Sequence, residues 1–361
     1  MSKRTLSSLV SVAALAIGVA ACGSSGSASG GATSAASGGP KASPNLPTVT
    51  MMVGGIDKQI YLPYQLAQDL GYFKKYGVNM KLSTEQSGGV GAETAMVSGQ
   101  VDMAGAWYVH TIDFQQQGKN VIDLVQLSGA PGEREMCQKG TNVTSPAQWK
   151  GKAVGVTDIG SGTDNLTRYL AARAHLTTAQ YTRAAVGDGS SFLASLQHGR
   201  IVCGMTTQPT VNAIETKGVG YSAINLASTA DAVKALGGVY PAAGVLARSD
   251  WVNSHKATAQ KVVDAMVATM HWIATHSAAD IAAHMPPAYV VNGLTTRASY
   301  ISTLAQDKSQ FLPNGMMPAS GPATALAIDK FAGNVSKPIT LGTTWTNAYA
   351  ATANKLEGYT H

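Results

Sequence analysis

The sequence predicts an α/β chain folded as two lobes, and three observations carry that prediction. Between residues 48 and 127, short apolar or β-branched runs alternate with segments of helical period, a pattern that implies a parallel sheet covered on both faces. That alternation breaks at Gly129-Ala130-Pro131-Gly132 and begins again after Ser145-Pro146. Glycine and hydroxyl residues recur at the carboxyl ends of the predicted strands, where open α/β sheets bind ligands.

Taken in order, Thr48 to Val53 reads as a strand, followed by the loop Gly54-Gly55-Ile56-Asp57. In LPYQLAQDLGYFKKYG, Pro63 suits a first helical turn, Leu66, Ala67 and Leu70 form one apolar face, and Gly71 closes the helix. Val78 to Ser83 is a strand, Ser87-Gly88-Gly89 opens a helix that ends at Gly99, and Val101 to Ala106 is a strand that ends at Trp107. A helix from Val109 to Gln117 and a strand from Val121 to Leu127 complete the first unit. The second unit has a strand at Ala153 to Thr157, a turn Gly160-Ser161-Gly162-Thr163 and a helix carrying Leu166 and Leu170. A strand near Arg183 to Val186, a helix from Ser190 to Gln197 and a strand from Ile201 to Met205 follow, leading to Thr206-Thr207-Gln208-Pro209. Gly244 to Ala247 reads as a returning strand, and a long helix is predicted from His255 to His284, ended by Met285-Pro286-Pro287. Its stripe of Val262, Met266, Met270 and Ile273 is core packing, and the remaining chain reads as helical decoration of the first lobe. The expected division is lobe 1 over residues 48–132 plus 248–361 and lobe 2 over 133–247.

The turn at residues 160–163 is the most informative stretch for chemistry. Its glycines let backbone approach a ligand, its hydroxyls donate or accept, and the first turn of the following helix leaves N–H groups without intrahelical partners. Together these make a cradle for an anionic or strongly polar group.

Composition narrows the class. The formal charge of +6 is spread along the chain with no Lys/Arg run, so nucleic acid is not an expected partner. There is no HExxH, GxSxG, Walker A or complete GxGxxG; His271, His276 and His284 are not spaced as a zinc pair, and Asn165 stands where a dinucleotide fingerprint wants glycine. No enzyme activity, metal or cofactor is therefore expected. Cys137 and Cys203 fall in strand-like runs and either bridge or remain buried thiols.

The N-terminus has Lys3 and Arg4, an apolar stretch too short to span a bilayer, and Val19-Ala20-Ala21-Cys22, which resembles the lipobox of bacterial lipoproteins. The resemblance implies a signal peptide over 1–21, acylation of Cys22 and attachment to the extracytoplasmic face of the cell membrane. A Gly/Ser/Ala-rich stretch from 22 to 47 would be a disordered tether. About 310 residues remain, enough for two lobes.

From Val49 to Thr275 the segments PYQLAQDLGYFKKYGVNMKLSTEQSGG, VSGQVDMAGAW, WKGK with the stretch that follows it, and LQHGRIVCGMTTQP resemble, in order and spacing, the solute-binding lipoproteins of nitrate, sulfonate and taurine uptake. Relatives in that family bind thiamine-precursor pyrimidines. The resemblance implies a type II periplasmic-binding-protein fold and a monomer that closes on a small-molecule solute and delivers it to an ABC permease with its ATPase. It places ligand contacts at Gly55, Ile56, Asp57, Gly88, Gly89 and Trp107 on the first lobe, and at Ser161, Gly162, Thr163, Thr207, Gln208 and Pro209 on the second. Asp57, with Glu133, would oppose an oxyanion and favour a cationic or hydroxyl-bearing solute, while Arg134 either pairs with a carboxylate or clamps an anion. Asp102 reads as a structural residue that fixes a turn. A surface receptor that reuses the fold without transport is the competing expectation.

Overall fold

The computed structural model describes residues 45–85 and 89–359. The leader, Cys22, the tether up to residue 44 and Gly88 lie outside the described residues.

Two five-stranded sheets organise the chain. Strands β1 (Thr48–Val53), β2 (Asn79–Thr84), β3 (Met103–Trp107) and β4 (Val121–Gln126) join the first. Strands β5 (Glu133–Gln138), β6 (Ala153–Val156), β7 (Thr182–Ala185), β8 (Cys203–Thr207) and β9 (Gly220–Leu226) form the second, and β10 (Ala243–Arg248) returns to the first. The orders are β2-β1-β3-β10-β4 and β7-β6-β8-β5-β9. In β1 the alternation of Val49, Met51 and Val53, all fully buried, with half-exposed Thr50 and Met52 reproduces the two-residue period of a strand with one face in the core.

The sheets are mixed, where the alternating pattern predicts parallel ones. In each sheet the strand that carries the crossing runs backwards: β10 pairs antiparallel with β3 and β4, and β5 pairs antiparallel with β8 and β9. The chain leaves the first sheet after Gln126 and returns to it at Ala243, so the second sheet ends well before residue 247. A disulfide joins Cys137 on β5 to Cys203 on β8, residues that face each other in register.

The predicted long helix is two helices, Lys256–Thr275 and Ala278–His284. Ser277 and Asp280 form a capping box at the break, which satisfies the N–H groups of a new helix and so permits the turn. Strand β9 and the helix Thr229–Leu236 were not expected; β9 is half-exposed along most of its length and gives no strong alternation. Asp102 accepts from Thr50 N and Thr50 Oγ1, each at 2.8 Å, tying β1 to the start of β3. Among the described residues no helix is long and apolar enough to cross a membrane.

Candidate functional site

The carboxyl ends of β1, β3 and β6 and the start of β5 converge on one cavity of about 10 Å³, lined by Lys58, Ile60, Tyr61, Glu93, Trp107, His110, Glu133, Thr157, Gly162 and Thr163. That volume is on the order of what one water needs, so the cleft is closed. Closure is visible in contacts between the two sides. Gln59 N donates to Gln208 O at 3.1 Å, Asn165 Nδ2 donates to Asp113 Oδ2 at 3.2 Å, and Lys58 Nζ lies 3.4 Å from Asp188 Oδ2.

On the first side, Gly55 takes φ +94°, a left-handed conformation open to glycine, and turns the chain sharply after β1. Ile56 N then donates to Thr84 Oγ1 at 3.0 Å, and the following residue but one, Lys58, enters the cavity. Trp107 ends β3 and makes an edge contact with Tyr240, ring centroids 6.1 Å apart. The helix Val109–Gln116 starts two residues later and presents His110 beside it, opposite Glu93 from the helix Val90–Ser98.

On the second side the hydroxyls of Thr157, Ser161 and Thr163 form a triangle with edges of 2.8 to 3.0 Å, and Thr157 N donates to Thr163 Oγ1 at 3.0 Å. Ser161 caps the helix Gly162–Arg173 by accepting from Asp164 N. The first two residues of that helix, Gly162 and Thr163, line the cavity, so the positive end of its dipole faces it. Gly162 sits directly against the Trp107 indole, and a Cβ there would run into the ring.

Charge is concentrated on the first side and at β5. Burial pushes Glu93 and Glu133 up to about 8, only partly offset by His110 and Lys58 respectively. Burial works against the His110 imidazolium, but Glu93 at 3.3 Å and Asp113 at 3.2 Å outweigh it and lift its pKa to about 9. Burial likewise opposes the Lys58 ammonium, and Asp188 and Glu133 overcome it, holding the lysine above its ordinary value. Asp188 is held below the usual carboxylate range against its own burial by Lys58 and by donors from Gly189, Thr206 and Thr210. The cavity therefore keeps protons that its groups would release in water. One oxygen of Glu133 is buried without a hydrogen-bond partner, and Glu93 Oε1 is buried with His110 Nε2 beside it at 3.3 Å. Among the described residues no cluster of His, Cys, Asp or Glu is placed to hold a metal ion.

Of the residues expected at the site, Trp107, Gly162 and Thr163 line the cavity. Gly55 shapes the turn before Lys58, and Gly89 stands at the head of the helix Val90–Ser98. Ile56 is buried behind the loop. The others are placed differently. Asp57 is partly exposed outside the lining, and its neighbour Lys58 takes the inward position. Ser161 is fully buried with its hydroxyl used in the cap. Arg134 forms a bidentate pair with Asp307, at 2.7 and 2.8 Å, which occupies its guanidinium away from the cavity. Thr207 Oγ1 donates to Gly132 O at 2.6 Å and Gln208 holds Gln59, so both fasten the crossing; Pro209, after a cis peptide bond, precedes a helix. Lys58, Tyr61, Glu93, His110 and Thr157 were missed. The position of His110 three residues after a strand-end tryptophan is the one signal that could have flagged it.

Comparison with known proteins places this geometry. A protein of Bordetella bronchiseptica RB50 superposes with a TM-score of 0.79 at 27% identity, covering 86% of this chain and 98% of that one. The periplasmic nitrate-binding protein NrtA of Synechocystis PCC 6803 superposes with a TM-score of 0.70 at 13% identity, covering 86% and 89%; with a further neighbour described as having the generic periplasmic binding protein fold, it shows the fold. In sequence, the 4-amino-5-hydroxymethyl-2-methylpyrimidine phosphate synthase THI12 of Saccharomyces cerevisiae (strain ATCC 204508 / S288c) is 28% identical over 144 residues, 37% of this chain. The match spans 42% of that relative's length. The family described as NMT1/THI5 like matches residues 60–279, more than half of the sequence, and the chain, a two-lobed α/β protein of the periplasmic-binding-protein fold, belongs to that NMT1/THI5-like family.

Proposed function

We propose that this protein is the solute-binding component of an ABC importer, held on the extracytoplasmic face through Cys22, which captures a small organic solute between its lobes and hands it to the permease. The observation that carries this reading is a closed cleft beside Trp107 lined by two buried carboxyl groups, Glu93, set against His110, and Glu133, one oxygen of which has no hydrogen-bond partner. A buried acceptor without a donor is costly, about 1–3 kcal/mol, and a solute bearing N–H groups would relieve it. Lys58, His110 and the hydroxyls of Thr157 and Thr163 supply donors for acceptors on the same solute. The indole and Tyr61 suit a flat ring. These features favour an aminated nitrogen heterocycle over a bare oxyanion. The solute must part Gly162 from Trp107 to enter, so binding requires opening and reclosure.

A thermal-shift panel of aminopyrimidines, aliphatic amines, nitrate and alkanesulfonates tests this. At about a hundredfold excess over Kd, a solute that binds only the folded state contributes about 2.7 kcal/mol and raises Tm measurably. Aminated heterocycles should give the largest rise. A rise with nitrate or sulfonate alone would remove the carboxyl groups from recognition, and no rise with any compound would sink solute capture. Binding without association with a permease would favour a receptor.

A further inference from the structure

One of the contacts that shut the cleft is a buried ion pair. Lys58 Nζ lies 3.4 Å from Asp188 Oδ2, and the two side chains are 7% and 12% exposed. The cavity beside them is on the order of one water in size and leaves no room for a solute, so this closed form is made by the protein's own groups.

Each partner is set in place by its own side of the cleft. Asp188 stands at the head of the helix Gly189–Gln197, and its Oδ1 accepts from Thr206 Oγ1 at 2.9 Å and from Thr210 Oγ1 at 3.0 Å, both fully buried residues. Its Oδ2 is the oxygen that meets the lysine. Lys58 is aimed there by a tight turn, in which Lys58 N donates to Gly55 O at 3.1 Å. The lysine stem lies so close over Gly55 that a Cβ at that glycine would run into Lys58 Cε. Gln59 braces the turn: its side-chain Nε2 donates to Tyr300 O at 3.0 Å and Thr303 Oγ1 at 3.1 Å, while its backbone N–H donates across the cleft to Gln208 O at 3.1 Å. Glu133 and Asp57 add attraction for the ammonium, and the Tyr61 ring lies 6.0 Å from it.

We propose that Lys58 and Asp188 are a self-closing latch, which shuts the lobes without a solute and must be released before one can enter. The latch does not depend on which solute is captured. If it left about one molecule in a hundred open, the apparent affinity for any solute would be lowered about a hundredfold, so the contact is autoinhibitory.

Amide exchange of the full chain, followed by NMR, tests this, because the Gln59 N–H is bonded across the cleft and reports its opening. Lys58→Met and Asp188→Asn each strand a buried group, so each should speed exchange of that amide about tenfold or more and enlarge the radius of gyration. The double variant strands neither charge and should return toward the wild type in both readouts. The amides of Met51 to Val53, inside the first sheet, should stay slow throughout, which separates opening from unfolding. Where they do not, Lys58→Gln, which keeps a polar group on the stem, is judged by the same outcomes. Wild-type exchange at Gln59 in both single variants, or accelerations that multiply in the double variant, overturns the latch.

Discussion

The two walls of the cleft are made of different chemistry. The wall built on the first sheet carries Lys58, Glu93 and His110 beside Trp107 and Tyr61, buried charges held by one another and by Asp113 and Asp188. The wall built on the second sheet offers Gly162, a triangle of hydroxyls already bonded to each other and to backbone, and, at the start of β5, the single carboxyl of Glu133. Hydroxyls that satisfy one another hold their shape whether or not anything binds; buried charges gain most from a further partner. On the proposed reading, selectivity would come from the buried charges, Glu133 of the second sheet among them, and the hydroxyl triangle would supply a preformed closing surface.

The comparison breaks most visibly at the point where the walls touch. Gly162→Val drives a side chain into the Trp107 ring and should hold the lobes apart, at a cost of about 1–3 kcal/mol of closure energy. Affinity for the best solute of the panel should fall roughly five- to hundredfold, and small-angle scattering should report a more open molecule. Adding Trp107→Ala should restore compactness. Wild-type affinity in Gly162→Val would mean that these walls do not meet in the binding form.

An intermediate effect separates the buried charges from the hydroxyls on the pH axis. Glu93 and Glu133, lifted to about 8, stay protonated in the fold at pH values where the unfolded chain has released those protons. His110, lifted to about 9, stabilises fully below its ordinary value and loses that contribution as the pH rises through 9. Both act in the same direction, since the native state binds more protons, so Tm should fall steadily from about pH 5 to pH 9. Glu93→Gln combined with Glu133→Gln should flatten the slope, whereas Thr163→Ala, among the hydroxyls, should leave it. A slope untouched by the double variant would place the linkage elsewhere, for example at buried Asp123.

The smallest effect sharpens the contrast. Ser161→Ala removes a helix cap and should cost about 1 kcal/mol of stability, read by chemical denaturation, with solute affinity unchanged. A loss of affinity without a loss of stability would return Ser161 to the solute.

The sheets were legible because alternation is a local property: β1, β2, β3, β4, β6 and β8 each carry their own apolar run. The antiparallel directions of β5 and β10 were not, although Gly244 to Ala247 reads as a returning strand, because direction is set by where the chain crosses; β9 is too exposed to announce itself. The break at Ser277 was written in the Ser277-x-x-Asp280 capping box but masked by the apolar stripe before it. At the site, Trp107, Gly162 and Thr163 were readable from their positions after strands. Lys58, Glu93 and His110 were not, since a charged residue in a loop or helix looks solvated until tertiary packing buries it. The role of Arg134 depended on Asp307, 173 positions away, which no spacing could reveal.

The bond between Cys137 and Cys203 has a consequence for where the protein can mature. It closes a loop spanning 66 positions that contains β6, β7 and both helices between β6 and β8, so it staples the hydroxyl wall into one piece and leaves both crossings free. Closing a loop of that length removes about 4 kcal/mol of chain entropy from the unfolded state. Thiols kept reduced in a cytosol would forgo that gain until they reached an oxidising space. The covalent link thus ties the rigidity of the second wall to its redox surroundings: complete in an oxidising space, lacking in a reducing one.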